Sequence, residues 1–435
     1  MNQTLQIHED REPRAPIIRE RWKPVRLRDA IPILKDIWKG RNTEVGGDAA
    51  QAIESSFRSL TGCKYALAVN SGTGALHSAY FAVGVRPGDE VILPSYTFFA
   101  TATPLFQLGA KPVFCEIDPK TLTADPEDVE RRITPRTKAI CAVHVWGNPA
   151  RMDKLVEISK RHGIPLIEDC SHAHGATFQG KSVGSFGAIG CFSMQGSKAV
   201  SGGEAGIIVT NTAVYLDRML ALGHNGRVAS AQAAGTFDIG PLSYGVKYRP
   251  HLFAMRLAQS SFQRLLELNA LRERNLLLLS NMLSETGVLT SIETYPEAKR
   301  GGFLEFIFRY DPEQCGGWTR EAFAKALVAE GVPVGVDRYT AFGGNFRYLH
   351  ESSIFTRLED DGIGGAVHLS LGESQPLPLT ESVCDQLVTL PAFAKVKESE
   401  LRAIALAVKR VNSFALNRND LRTHRISRTL RATEC

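Results

Sequence analysis

Between Tyr65 and Asp169 the chain alternates short apolar runs with amphipathic ones, and no other feature narrows its possible folds as much. Tyr65–Val69, Glu90–Pro94, Lys111–Asp118, Thr137–Val145 and Ile164–Asp169 have the length and the β-branched or aromatic content of buried strands. The stretches between them read as helices. Asn70–Tyr80 follows a tight Ser-Gly-Thr turn, and Ser95–Thr103 begins a helix. Asp125–Arg132 opens with an Asp cap and Pro at the first helical position, and Met152–His162 has helical period. Strands that are apolar throughout need cover on both faces. The pattern therefore predicts an α/β fold, a mostly parallel central sheet flanked by helices. Open sheets of this kind bind ligands outside the carboxyl ends of their strands, and one strand here ends in two carboxylates, Glu168 and Asp169.

A second pair of apolar runs, Ala188–Phe192 and Gly206–Thr210, flanks a loop of small residues that holds one lysine, Lys198. A loop lysine is ordinarily a solvated surface group. Here small neighbours allow close approach of another body, and the hydroxyls of Ser193, Ser197 and Ser201 can hold an anion. A lysine so placed can form a Schiff base, the link used by pyridoxal phosphate. That chemistry needs a phosphate cradle and an acid for the pyridine nitrogen. The Ser71-Gly72-Thr73 turn can aim free backbone N–H groups at a phosphate, or simply cap a helix. Asp169 can face the ring nitrogen, or cap the next element. Tyr96 and Phe98 can stack on a planar ring, or belong to the core. His172 and His174 have no third ligand nearby in sequence, so no metal site is expected.

Elsewhere, residues 1–25 are polar with three prolines and read as an arm. Ala30–Trp38 and Asp48–Leu60 have helical period, with a polar turn at Gly40–Gly47 between them. Val214–Leu222 is helical, and Gly223–Arg227 and Gly240–His251 are loops. A long helix is expected over Phe253–Leu283. After residue 290 the pattern becomes strand Gly302–Tyr310, helix Arg320–Glu330, strand Val332–Val336 and closing helix Glu398–Asn412. This suggests an arm at 1–29, a large domain at 30–265, a smaller C-terminal α+β domain at 266–415 and a flexible basic tail at 416–435. The 435 residues suffice for two cores. The net charge of +5 is modest, and its Arg-rich tail comes with no nucleic-acid motif. Eight cysteines lack CxxC spacing and read as reduced core residues. No signal-peptide region or membrane-length apolar run occurs, so a cytoplasmic protein is expected, with no membrane partner.

Four segments stand in a telling order: Ala68-Val-Asn-Ser-Gly-Thr73, Gly88-Asp-Glu-Val-Ile-Leu-Pro-Ser-Tyr-Thr-Phe98, Ile167-Glu-Asp-Cys-Ser-His-Ala-His-Gly175, and Phe192-Ser-Met-Gln-Gly-Ser-Lys198 with Gly203-Glu-Ala-Gly206. In these the chain resembles the DegT/StrS-type sugar aminotransferases, pyridoxal-phosphate enzymes of fold type I, the aspartate-aminotransferase fold, from about Trp38 to Val411. The resemblance implies that Lys198 forms the internal aldimine and then moves the proton as base and acid. It implies that Asp169 faces the pyridine nitrogen, that Gly72, Thr73 and Ser193 hold the phosphate, and that Phe98 stacks on the ring. His172 lies where many members have Gln beside the cofactor hydroxyl. Lys247 stands where many relatives supply an Asn from the neighbouring subunit to the phosphate, and Arg249 where the family often contacts substrate. The resemblance further implies a homodimer with shared sites. Its reaction is ping-pong transfer of an amino group from glutamate or glutamine to a keto group of a sugar nucleotide or cyclitol. Two departures stand out: Gly-Glu-Gly-Gly reads Gly203-Glu-Ala-Gly206, and the His-Tyr-x-Pro substrate loop appears only as Asp337-Arg-Tyr-Thr-Ala. A cofactor-dependent sugar dehydratase, whose relatives replace the lysine, and a non-catalytic regulatory protein are the alternative readings.

Overall fold

The computed structural model describes residues 20, 25–41, 47–224, 227, 245–340, 347–356 and 376–432, with side chains to residue 417. The expected arm at 1–25, the turn at 40–47 and the loops at 223–227 and 240–251 lie partly outside the described residues.

Seven strands form the central sheet: β1 (Tyr65–Val69), β2 (Glu90–Pro94), β3 (Lys111–Cys115), β4 (Thr137–Val143), β5 (Leu166–Asp169), β6 (Ile189–Ser193) and β7 (Gly206–Thr210). Their order is β1-β7-β6-β5-β4-β2-β3. The run from β3 to β6 is parallel, and β7 is antiparallel to both its neighbours. Alternate side chains enter opposite cores. Ala66, Ala68, Ile207 and Val209 pack with α1 (Gly47–Thr61) on one face. Leu67, Val69 and Ile208 pack with α2 (Gly72–Ala82) on the other. The turns after β1, β2, β5 and β6 therefore all open at one edge of the sheet.

Further on, β8 (Leu289–Ser291), β9 (Glu305–Tyr310) and β10 (Leu387–Pro391) make an antiparallel sheet. Its core includes Phe306, Phe308, Val388 and Leu390. The closing helix α3 (Glu398–Ala432) lays Leu401, Ile404, Val408 and Val411 against it, at helical spacing.

The structure departs from the sequence reading at several places. The helix expected over Phe253–Leu283 is two, Leu252–Phe262 and Leu265–Ser284. The chain bends where Arg264 turns inward to pair with Asp29 at 3.0 Å, while the apolar period runs on unbroken. Val332–Val336 is no strand; Pro333 has no N–H to give, and only Gly335 bridges to Thr389. The strands that pair with β9 are instead β8 and β10, both unrecognised in the sequence. The closing helix continues past Asn412 through the Arg-rich segment to Ala432. After β2 the chain makes a 3-10 turn at Phe99–Thr101 before a short helix at Pro104–Gln107, because Pro104 can only start a helix.

Candidate active site

A cavity of about 440 Å³ opens at the carboxyl edge of the sheet. Its wall includes Gly72, Thr73, Phe98, Asp169, His172, Ser193 and Lys198, seven of the residues singled out in the sequence.

The start of α2 forms one end. Ser71 caps it, its Oγ accepting from Gly74 N–H at 2.9 Å, and Ala75 N–H reaches Ser71 O at 3.0 Å. Gly72 and Thr73 are first-turn residues, whose N–H groups a helix leaves without an internal acceptor. The partial positive charge of the helix start adds to their pull on an anion. Two glycines make the packing possible. A Cβ on Gly72 would stand 2.7 Å from Ser193 Cβ, and one on Gly206 would stand 2.4 Å from Ser71 O. Ser193, ending β6, is thereby held against the helix start.

Asp169 ends β5 and is 5% exposed. Its Oδ2 accepts from Thr101 Oγ1 at 2.8 Å and its Oδ1 from Ser171 N–H at 3.0 Å. Thr101 is in turn within 2.8 Å of Thr97 Oγ1, so the carboxylate is fixed by a relay of hydroxyls. Above it, His172 Nδ1 accepts from Trp146 N–H at 3.2 Å. The neutral ring then carries its proton on Nε2, which lies 3.1 Å from Tyr339 Oη. Burial holds His172 well below the usual imidazole range, and Lys198 and Arg338 push the same way. The Trp146 and Tyr339 rings stack at 4.9 Å and 15°, beside His172. Both aromatic residues sit at positive φ, 56° and 63°, a strained backbone for large side chains.

The lysine loop leaves β6 and returns as β7. Met194 N–H bonds Ala205 O at 2.7 Å, Gly202 N–H bonds Met194 O at 2.8 Å, and Lys198 N–H bonds Gln195 O at 2.9 Å. These bonds close the turn and hold Lys198 at the cavity. Burial lowers the Lys198 pKa to about 8; Asp169 and Glu305 pull it up, and Arg338 pushes it down. Of the three loop hydroxyls, Ser193 and Ser197 line the cavity. Ser201 does not: it is buried, its N–H bonded to Ser261 Oγ at 3.1 Å, and it holds the loop to the helix behind.

Lys247 and Arg249 also lie outside the cavity wall, as do Tyr96, Glu168 and His174. Lys247 is exposed, its carbonyl accepting from Asn70 Nδ2 at 3.2 Å. Arg249 is partly buried near His224, whose pKa is brought to about 3 by burial, Arg227 and Arg249. Thr101, Arg338 and Tyr339 line the cavity without having been assigned a role in the sequence. For Arg338 and Tyr339 the signal was the altered substrate loop. Nothing in the sequence relates Thr101 to Asp169.

His144, Glu168 and Cys170 also cluster in the interior. Glu168 there accepts from the N–H groups of Gly184, Phe186 and Gly187, each at 2.7 Å, and lies 3.1 Å from His144 Nε2. His144 Nδ1 accepts from Ala150 N–H. With its lone pairs so engaged, the carboxylate is a turn clamp.

A family profile, the DegT/DnrJ/EryC1/StrS aminotransferase family, matches residues 28–409. An L-glutamine:2-deoxy-scyllo-inosose aminotransferase of Streptomyces lividus is 38% identical over 82% of this chain and 84% of its own. One of the same name from Streptoalloteichus tenebrarius is 32% identical over 89% and 93%. Among solved structures, 3-amino-5-hydroxybenzoic acid synthase superposes with a TM-score of 0.75 at 28% identity, covering 93% of this chain and all of the other. The match over nearly the whole chain, together with a lysine, an aspartate and a helix start converging on one cavity, establishes that this chain belongs to the DegT/DnrJ/EryC1/StrS aminotransferase family.

Proposed function

We propose that this aminotransferase uses pyridoxal phosphate to move the amino group of L-glutamine onto the ketone of a scyllo-inosose-type cyclitol. The observation that carries the reading is the convergence of Lys198, Asp169 and the Gly72–Thr73 helix start on one cavity. The cofactor choice rests on its fit to that cavity. The space that a Cβ at Gly72 would fill keeps the helix start against Ser193, as a phosphate cradle requires. Gly72, Thr73 and Ser193 would hold the phosphate, Phe98 and His172 would flank the ring, and Asp169 would face its nitrogen. Bound there, pyridoxal phosphate supplies an electron-accepting ring that stabilises the negative charge left when an amino-bearing carbon loses its proton.

The chain's own residues do the rest. Lys198, with a pKa of about 8, is mostly protonated at pH 7 but has a far larger neutral fraction than an ordinary lysine. Its amine can act as nucleophile and then as the base and acid that moves the proton. Asp169 is locked in the cavity wall by Thr101 and Ser171. His172 stays neutral and offers one N–H in a fixed direction. The choice of donor and acceptor rests on the activities for which the two Streptomyces lividus and Streptoalloteichus tenebrarius relatives are named.

The protein is further proposed to act as a homodimer. Among the described residues of the cavity wall the cations are Lys198 and Arg338, and neither belongs to the helix start. A second copy's Lys247, exposed on its own chain, would supply the missing positive charge. Incubation with L-glutamine and scyllo-inosose, followed by chromatography of the cyclitol, tests the reading. The expected result is an amino-inositol formed by the native protein and absent with Lys198→Ala. Formation of a deoxygenated cyclitol without nitrogen would favour the dehydratase reading instead.

A further inference from the structure

Thr101 is 1% exposed, and its hydroxyl lies 2.8 Å from Asp169 Oδ2 and 2.8 Å from Thr97 Oγ1. A carboxylate only accepts, so the Thr101 O–H donates to Asp169. Its single proton is thereby committed, and Thr97 Oγ1 donates to Thr101 in turn. The two hydroxyl dipoles point the same way, toward the carboxylate, and each strengthens the next. A threonine in a helical turn commonly bonds a backbone carbonyl three or four residues back. The Thr101 hydroxyl instead reaches 68 residues along the chain, while its N–H closes the turn on Phe98 O at 3.0 Å. The turn is also held from behind. Tyr80, buried on α2, donates its hydroxyl proton to Thr101 O at 2.8 Å. That helix begins with Gly72 and Thr73, so its first turn shapes one end of the cavity and its last turn, through Thr101, braces Asp169. Thr97, Phe98, Thr101 and Asp169 all line the same wall.

We propose that Thr101, backed by Thr97, is a positioning residue that holds the Asp169 carboxylate so that the proton it shares with the cofactor's pyridine nitrogen stays on the nitrogen. The inference rests on the pyridoxal phosphate reading and names what makes Asp169 effective in it. Donors to a carboxylate favour its ionised form over its protonated one. Thr101 Oγ1 and the Ser171 N–H supply one donor to each oxygen. Each oxygen keeps a second lone pair, so acceptor capacity remains for a ring N–H, in a direction that the two existing bonds fix. With the Thr101 donor removed, the carboxylate competes harder for the shared proton. The proton then moves from the ring nitrogen toward Asp169, and the ring loses part of the positive charge that lets it accept electrons.

Nitrogen NMR of pyridoxal phosphate isotopically labelled at the ring nitrogen, bound to the protein, reads the position of the proton without turnover. Native protein is expected to give the protonated signal. Thr101→Val should move it toward the unprotonated one, and Thr101→Ser, which keeps the hydroxyl, should restore it. Thr97→Val removes only the second dipole and should move the signal the same way by less. In single-turnover absorbance the donor half-reaction with L-glutamine should slow roughly tenfold in Thr101→Val and recover in Thr101→Ser. Thermal unfolding of each variant separates this from a folding defect, since a purely structural hydroxyl would alter unfolding and leave the nitrogen signal in place. A native signal in Thr101→Val, or a shift that serine fails to restore, would overturn the inference and leave the cofactor reading standing. Should the valine variant fail to fold, an unmoved signal in Thr97→Val would overturn it equally. An unprotonated nitrogen in the native protein would overturn the role of Asp169 and the inference together, and failure to bind the labelled cofactor would overturn the reading beneath both.

Discussion

Burial sets the chemistry of Lys198. An amine held at about 8 rather than its ordinary 10.5 is neutral above that value and protonated below it. Capture of added pyridoxal phosphate by cofactor-free protein should therefore speed up as pH rises, with a midpoint near 8. Stopped-flow absorbance would measure it, and a midpoint at the ordinary lysine value would refute the assigned environment. Asp169→Asn should cost the overall reaction roughly a hundredfold or more, since it removes the charge that favours a protonated ring. Ser193→Ala removes one phosphate contact and should cost roughly tenfold; equal losses would contradict this ranking. Gly72→Ala places a methyl 2.7 Å from Ser193 Cβ. It should weaken cofactor binding and destabilise the fold by about 1–3 kcal/mol, as fluorescence titration and urea unfolding would show. Lys198, Asp169 and Gly72 were legible because each lies at or just past a strand end, where sequence order predicts spatial neighbours. Thr101, Glu305 and Arg338 were not, because their partners are separated from them by long stretches of chain.

At the level of elements, strand ends and helix starts depend on a few polar clamps. Glu168 is the clearest: one fully buried carboxylate satisfies three backbone N–H groups of the Gly184–Gly187 turn. That turn leads into β6 and so to Lys198. Glu168→Ala should destabilise the protein by about 3–5 kcal/mol, because several buried donors lose their acceptor together. Urea unfolding would test it, and a loss below about 1 kcal/mol would show that water replaces the carboxylate easily. The same clamps explain where the sequence misleads. The apolar period continues across Arg264, so only the buried Asp29 ion pair reveals the helix break. Val332–Val336 has strand composition, but Pro333 denies it a ladder, and the role passes to Leu387–Pro391. By contrast Tyr65–Val69, Glu90–Pro94 and Met152–His162 form as read, since pattern, caps and burial agree there.

For the whole molecule, the alternation of strand and helix dictated a sheet whose carboxyl edge gathers residues from positions 71 to 339 into one cavity. The sequence could not show that Arg338 and Tyr339 reach that cavity, because the segment carrying them has no regular period. A dimer with shared sites makes a definite prediction. Lys198→Ala and Lys247→Ala copies, each nearly inactive alone, should regain activity when unfolded and refolded together. Half of the sites in a mixed dimer would then hold both lysines. No recovery, with mixed dimers shown to be present, would place Lys247 outside the partner's site. The most direct test of the central claim is the visible spectrum of the purified protein supplied with pyridoxal phosphate. A yellow absorbance lost on adding L-glutamine, restored by scyllo-inosose, and never formed by Lys198→Ala is the expected result. An absorbance that forms equally well without Lys198, or that no amino donor alters, would contradict it.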